Sequence, residues 1–126
     1  MMKLTDLDPR WLIDDGRKVG FVFKSPTNGE WWQTCFFEAG RKVLICQNPE
    51  CYRKDEWCCP HSQTGLARAA GVDPGKVQGC ERDCAWAVHG PLDFSVLTIT
   101  PSIDGSKGGL WHGFITNGQI VGGIHE

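Results

Sequence analysis

Seven cysteines restrict this chain more than any other feature, because six of them crowd between Cys46 and Cys84. They form three clusters: Cys46 with Cys51, the run Cys58-Cys59-Pro60-His61, and Cys80 with Cys84. The count is odd, and the opening Met1-Met2-Lys3-Leu4-Thr5-Asp6 lacks the apolar stretch of a secretory signal. That beginning predicts a cytoplasmic location, where such cysteine density points to metal before disulfides. Tetrahedral zinc takes thiolates or imidazoles that converge from two short turns. Cys46-Gln-Asn-Pro-Glu-Cys51 has the chemistry for one turn. Cys80-Glu-Arg-Asp-Cys84 suits the other if its cysteines share one turn of helix. Structural Zn2+ on Cys46, Cys51, Cys80 and Cys84 is the first expectation. Adjacent cysteines do not readily bind one ion together, so Cys58 or Cys59 is a spectator and His61 can replace a thiolate. Cys59 and His61 stay as further candidates, and buried thiols or a disulfide are the alternative. Cys35, within Trp32–Phe37, reads as a small core residue on a strand.

At 126 residues the chain is expected to be a single domain over 1–126, with the cysteine-rich insertion at about 46–84. It is 40% hydrophobic and 22% charged, which suits a compact fold rather than a disordered tail. A net charge of −2 gives no drive for counterion release, so no nucleic-acid partner is expected. No apolar run approaches the roughly 18 residues of a membrane helix, so no membrane partner is expected either.

The pattern along the chain predicts a mostly β fold: a small antiparallel sheet with a zinc-stapled insertion carrying one short helix. Residues 1–17 read as a leading arm in which Pro9 stops regular structure and Trp11, Leu12 and Ile13 dock on a core. Val19–Phe23 and Trp31–Phe37 are rich in aromatic and β-branched residues and read as strands. Pro and Asn-Gly turn signals lie between them. Arg41–Cys46 is expected as a third strand leading into the insertion. Gln63–Ala70 is the strongest helix, with Gly71 as its C-terminal stop. The run Thr64–Pro74 superficially resembles the middle of a helix-turn-helix, but too little chain follows for a recognition helix. Phe94–Ile103 alternates as a strand should. Trp111–Thr116 and Gln119–Gly122 flank Asn117-Gly118, a strong hairpin signal.

That last third carries the candidate chemistry. A five-residue loop centred on Lys107 would set Asp104 opposite Leu110, Ser102 opposite His112, Thr100 opposite Phe114 and Thr98 opposite Thr116. The other face then reads Leu97, Ile99, Pro101 and Ile103 against Trp111, Gly113 and Ile115. One face is apolar and the other hydroxyl-rich, as a half-buried sheet requires. Opposed Cβ atoms lie roughly 4.5–5.5 Å apart, so Ser102 Oγ and a His112 nitrogen fall within reach of a hydrogen bond. Asp104 shares their face and can orient the imidazole. Serine is a weak nucleophile until an adjacent base takes its proton, and that base works best when a third group fixes its tautomer. Pro101 removes a ladder donor, so its strand bends there or lies at an edge. The bland alternative is an ordinary polar pair on an exposed sheet face.

Leu97-Thr-Ile-Thr-Pro-Ser-Ile-Asp104 followed by Trp111-His-Gly-Phe-Ile-Thr-Asn-Gly118 resembles a family of small bacterial and phage proteins. Its mark is a Thr-Pro-Ser-Ile run, then Trp-His-Gly-Phe-Ile and a polar-Gly turn. That family is similar to the BubD-type serine peptidase encoded beside bacterial ubiquitin-like proteins and their E1- and E2-like partners. The matching stretch runs from Phe94 to Gly118. The resemblance implies a deubiquitinase-like hydrolase with Ser102 as nucleophile and His112 as general base, acting on a ubiquitin-like protein and its conjugates. Relatives carry a Cys-Pro-x-Cys knuckle near the position of Ser25-Pro26 here, so their metal ligands do not carry over by position. Amides of the Gly105–Gly109 loop are candidate oxyanion donors. Trp31, Trp32 or Trp111 are candidate walls of a groove for a Gly-Gly tail, with core packing as their ordinary role.

Two other functions fit the same residues. One is a zinc-stabilised binding module without chemistry. The other is a zinc hydrolase using His112, His89 or His125 with some cysteines, although cysteine-rich clusters suit structural zinc better. Otherwise His61, His89 and His125 read as ordinary polar residues.

Overall fold

The computed structural model describes residues 2–37, 63–78, 85–106 and 109–123. Cys46, Cys51, Cys58, Cys59, Cys80, Cys84, His61 and His125 lie outside the described residues, as does the expected strand Arg41–Cys46. Two four-stranded sheets and one short helix make the fold mostly β. The first sheet holds β1 (Arg10–Asp14), β2 (Arg17–Lys24), β3 (Trp32–Phe36) and β4 (Val77–Gln78), in that order. The second holds β5 (Ala87–His89), β6 (Thr98–Asp104), β7 (His112–Thr116) and β8 (Gln119–Val121). Helix α1 spans Gln63–Ala69, and Gly71 follows in the left-handed conformation at φ +83°.

Three sequence expectations change. The single antiparallel sheet is two sheets, and β3 and β4 pair in parallel. A parallel pair needs a long crossover, which here is everything between Phe36 and Val77, including α1. The leading arm is not irregular either: Leu4–Leu7 forms a 3-10 turn and Arg10–Asp14 forms β1. Asp15-Gly16 joins β1 to β2 with φ values of +53° and +76°, the left-handed pair of a two-residue hairpin turn. Ile13 is half exposed rather than docked.

The first sheet is covered on both sides. Leu12, Val22, Trp32 and Phe36 pack with Leu66 and Ala67 of α1. Phe21, Phe23 and Cys35 pack instead with Leu97, Ile99, Trp111 and Ile115 of the second sheet. The order is therefore helix, first sheet, second sheet, with the far face of the second sheet open to solvent. Burial along β7 alternates exposed and buried from His112 to Thr116, so His112, Phe114 and Thr116 stand on that open face. Among the described residues no helix is long and apolar enough to cross a membrane.

Candidate functional site

The open face of the second sheet brings Ser102, His112 and Asp104 together. Ser102 Oγ lies 3.2 Å from His112 Nε2. On the opposite side of the ring, Nδ1 lies 3.9 Å from Asp104 Oδ1. The three side chains come from β6 and β7, which are hydrogen-bonded neighbours.

The register that achieves this differs from the expected one. Ile99 pairs with Ile115, as the alternation predicts, but Ile103 pairs with Gly113 and Asp104 with His112. Four steps along β6 are matched by two along β7, so β6 bulges between Ile99 and Ile103. Pro101 lies within the bulge, where its missing N–H costs the ladder nothing. Its strand bends as expected but is not an edge, since β5 and β7 flank it. The paired residue across from His112 is thus Asp104, while Ser102 reaches the imidazole from two positions away. Both carboxylate and hydroxyl stay on the open face.

Side chains outside the motif hold this arrangement. Trp86 donates from Nε1 to the Ser102 carbonyl at 3.2 Å, and its own N–H donates to the Phe36 carbonyl of β3. Asp104 Oδ1 accepts from the Ser106 N–H at 2.9 Å and the Ser106 hydroxyl at 2.5 Å. Those bonds restrain the carboxylate within reach of His112. On the far side of β6, His89 Nε2 lies 2.7 Å from Thr100 Oγ1, a second hydroxyl–imidazole pair. Neither Trp86 nor Ser106 belongs to the motif. An Asp-x-Ser turn signal at Asp104–Ser106 points to the latter in hindsight.

Two expectations narrow for the described residues, the Lys107 and Gly108 amides lying outside them. Each amide of the loop after β6 that lies among the described residues already donates within the protein. Gly105 donates to the Trp111 carbonyl, Ser106 to Asp104, Gly109 to the Ser106 carbonyl and Leu110 to the Gly105 carbonyl. They are not oxyanion donors. Trp111 and Trp32 are buried in the two cores, so neither walls a groove, and Trp31 sits under the Lys76 ammonium at 5.2 Å.

Among the described residues no group of three or more His, Cys, Asp or Glu is placed to hold a metal. The proposed zinc ligands all lie outside those residues. His89 and His112 are carried by strands on opposite sides of β6. Cys35 is buried in the core shared by the sheets, in the position the sequence suggests. Ser25 is buried, with its hydroxyl 3.2 Å from that of Thr27.

No protein-family model matches the chain, and no curated protein or solved structure is significantly similar to it.

Proposed function

We propose that the protein is a serine hydrolase of the deubiquitinase-like type, cleaving after the C-terminal glycine of a ubiquitin-like protein. The observation that carries this reading is the Ser102–His112–Asp104 alignment, with one ring nitrogen facing the hydroxyl and the other facing the carboxylate. The family resemblance of the Phe94–Gly118 segment supplies the substrate class. With the proton on Nδ1 facing Asp104, Nε2 presents a lone pair to the Ser102 hydroxyl. His112 takes that proton as Ser102 Oγ bonds to the glycine carbonyl carbon. The imidazolium then protonates the departing amine, leaving an ester on Ser102. Water attacks the ester with His112 again as base, which frees the glycine carboxylate and restores the serine.

His112 and Asp104 keep 53% and 55% of their side-chain surface in contact with solvent. Water for the second step is therefore at hand, and the substrate must supply its own surface to exclude bulk solvent during the first. A folded protein with an extended tail meets that need better than a small molecule. On sequence grounds the cysteine-rich segment joins the proposal as a structural zinc staple. One zinc per chain, lost on Cys46→Ser with loss of folded protein, is the expected assay result.

A ubiquitin-like protein fused to a reporter tests the reading. Wild type is expected to cleave the fusion, with losses of about 10²–10⁴-fold for Ser102→Ala and His112→Ala. Full activity in Ser102→Ala, abolished by a chelator in protein that stays folded, would instead mark a zinc hydrolase. Phe114 and Val121, paired and both exposed beside the site, favour a second reading as a binding module. Undiminished capture of the ubiquitin-like protein without cleavage is the outcome that selects it.

A further inference from the structure

Gln33 lies on β3, in the sheet behind the site, and is 2% exposed. Its Nε2 donates to the Trp111 carbonyl at 3.0 Å, and its Oε1 accepts from the Trp111 N–H at 3.1 Å. This double exchange repeats what paired strand residues do with one another, but a side chain performs it. Trp111 is the residue immediately before His112. The same Trp111 carbonyl also accepts from the N–H of Gly105, the residue immediately after Asp104. Gln78, paired with Gln33 across the parallel β3–β4 ladder, donates to the Gly105 carbonyl at 3.4 Å. Two glutamines of one sheet thus hold the two backbone positions that flank His112 and Asp104 in the other. The fit is close: a Cβ on Gly105 would approach Gln33 Nε2 to 2.5 Å and Gln78 Oε1 to 2.9 Å.

We propose that Gln33 is a positioning residue for the Ser102–His112 pair, an inference that rests on the serine-hydrolase reading. β6 is bulged just before this point, so its ladder with β7 does not by itself set where the imidazole stands relative to Ser102. The Gln33 amide sets it, by fixing the Trp111 peptide from the sheet behind. A leucine of similar volume would fill the space but leave the Trp111 N–H and carbonyl without that partner. The Trp111 backbone would then keep the Gly105 N–H but lose both bonds to the sheet behind, and displacements of an ångström matter at a proton-transfer site.

The test uses the full chain and an alkyl fluorophosphonate, which modifies activated serines without needing the natural substrate. Wild type is expected to label at Ser102. Gln33→Leu is expected to label on the order of tenfold to a hundredfold more slowly per folded molecule, with the folded fraction read by near-ultraviolet circular dichroism. Gln33→Glu supplies rescue by protonation. A neutral carboxyl offers one donor and one acceptor, as the amide does, whereas a carboxylate only accepts. Its labelling rate relative to wild type is therefore expected to fall as pH rises, and it stands in if Gln33→Leu does not fold. Equal rates per folded molecule across wild type and both variants would overturn the inference. If wild type does not label at all, the hydrolase reading fails. Gln33 is then judged by the His112 ring nitrogens in NMR spectra. Their displacement in Gln33→Leu, with those of His89 unmoved, supports the positioning role, and unchanged His112 signals defeat it.

Discussion

Asp104 faces His112 at 3.9 Å, beyond hydrogen-bond length, while its Oδ1 is engaged by both groups of Ser106. An asparagine keeps an oxygen for Ser106 and loses only the charge that favours the imidazolium. On the proposed hydrolase mechanism, Asp104→Asn is therefore expected to lower kcat by about tenfold, well short of the loss from His112→Ala. Steady-state cleavage of the ubiquitin-like fusion by each variant measures the difference. A second carboxylate gives a pH prediction. Arg10 donates to Asp8 at 2.9 Å, and that hydrogen bond holds the Asp8 carboxyl below its ordinary value. A depressed carboxyl stabilises the folded state above its unfolded pKa and ceases to do so as pH falls through its folded value. Asp8→Asn should thus lower the unfolding free energy at neutral pH by only a few tenths of a kcal/mol, because the pair is exposed, and this reads as a slightly lower urea midpoint. The difference from wild type should vanish in acid. Ser102, His112 and Asp104 were legible as a group because alternation places them on one face whatever the exact pairing. Gln33 and Trp86 were not, since both sit in runs that read as ordinary strand or loop, and their partners lie far along the chain.

Arg10 also joins two elements. Its guanidinium donates at 3.0 Å to the carbonyls of both Ala70 and Gly71 and lies 5.3 Å over the Trp32 ring. A cation that satisfies the carbonyls at a helix end replaces bonds the helix cannot make for itself. Arg10→Ala is expected to destabilise the protein by about 1–2 kcal/mol, read from chemical denaturation. Turn chemistry sets the hairpins of the second sheet more locally. Asn117 and Gly118 have φ of +50° and +74°, and the Asn117 N–H donates to Thr98 Oγ1 at 2.8 Å. A side chain at Gly118 would strain this turn and collide with the Ser95 carbonyl. Gly118→Ala should cost about 1–3 kcal/mol in the same measurement. Asn-Gly announces its hairpin, and Asp15-Gly16 carries the same kind of turn signal within the leading arm. The β6 bulge had no such signal beyond Pro101, which indicates a bend without saying how many residues it absorbs.

Across the whole molecule, one aromatic core joins the sheets. Phe21 is fully buried and meets Phe23, Phe37, Trp11 and Phe94, with ring centroids between 5.6 and 6.2 Å. Truncating it opens a cavity between the layers, so Phe21→Ala is expected to cost about 3–5 kcal/mol and to loosen both sheets in one cooperative transition. Hydrogen exchange resolved by residue would show β2 and β6 losing protection together. Local physics settled much of this protein in advance. Period-two alternation defined β7 and its exposed face, Asn-Gly closed the last hairpin, and Gly71 ended α1. These depend on neighbours a few residues apart, and the sequence states them directly. The division into two sheets, the parallel β3–β4 pair, the shifted register at the site and the Gln33 clamp behind it were decided only by tertiary structure. Each depends on groups distant in the chain competing for the same buried space and the same backbone hydrogen bonds, and that competition has no period to read.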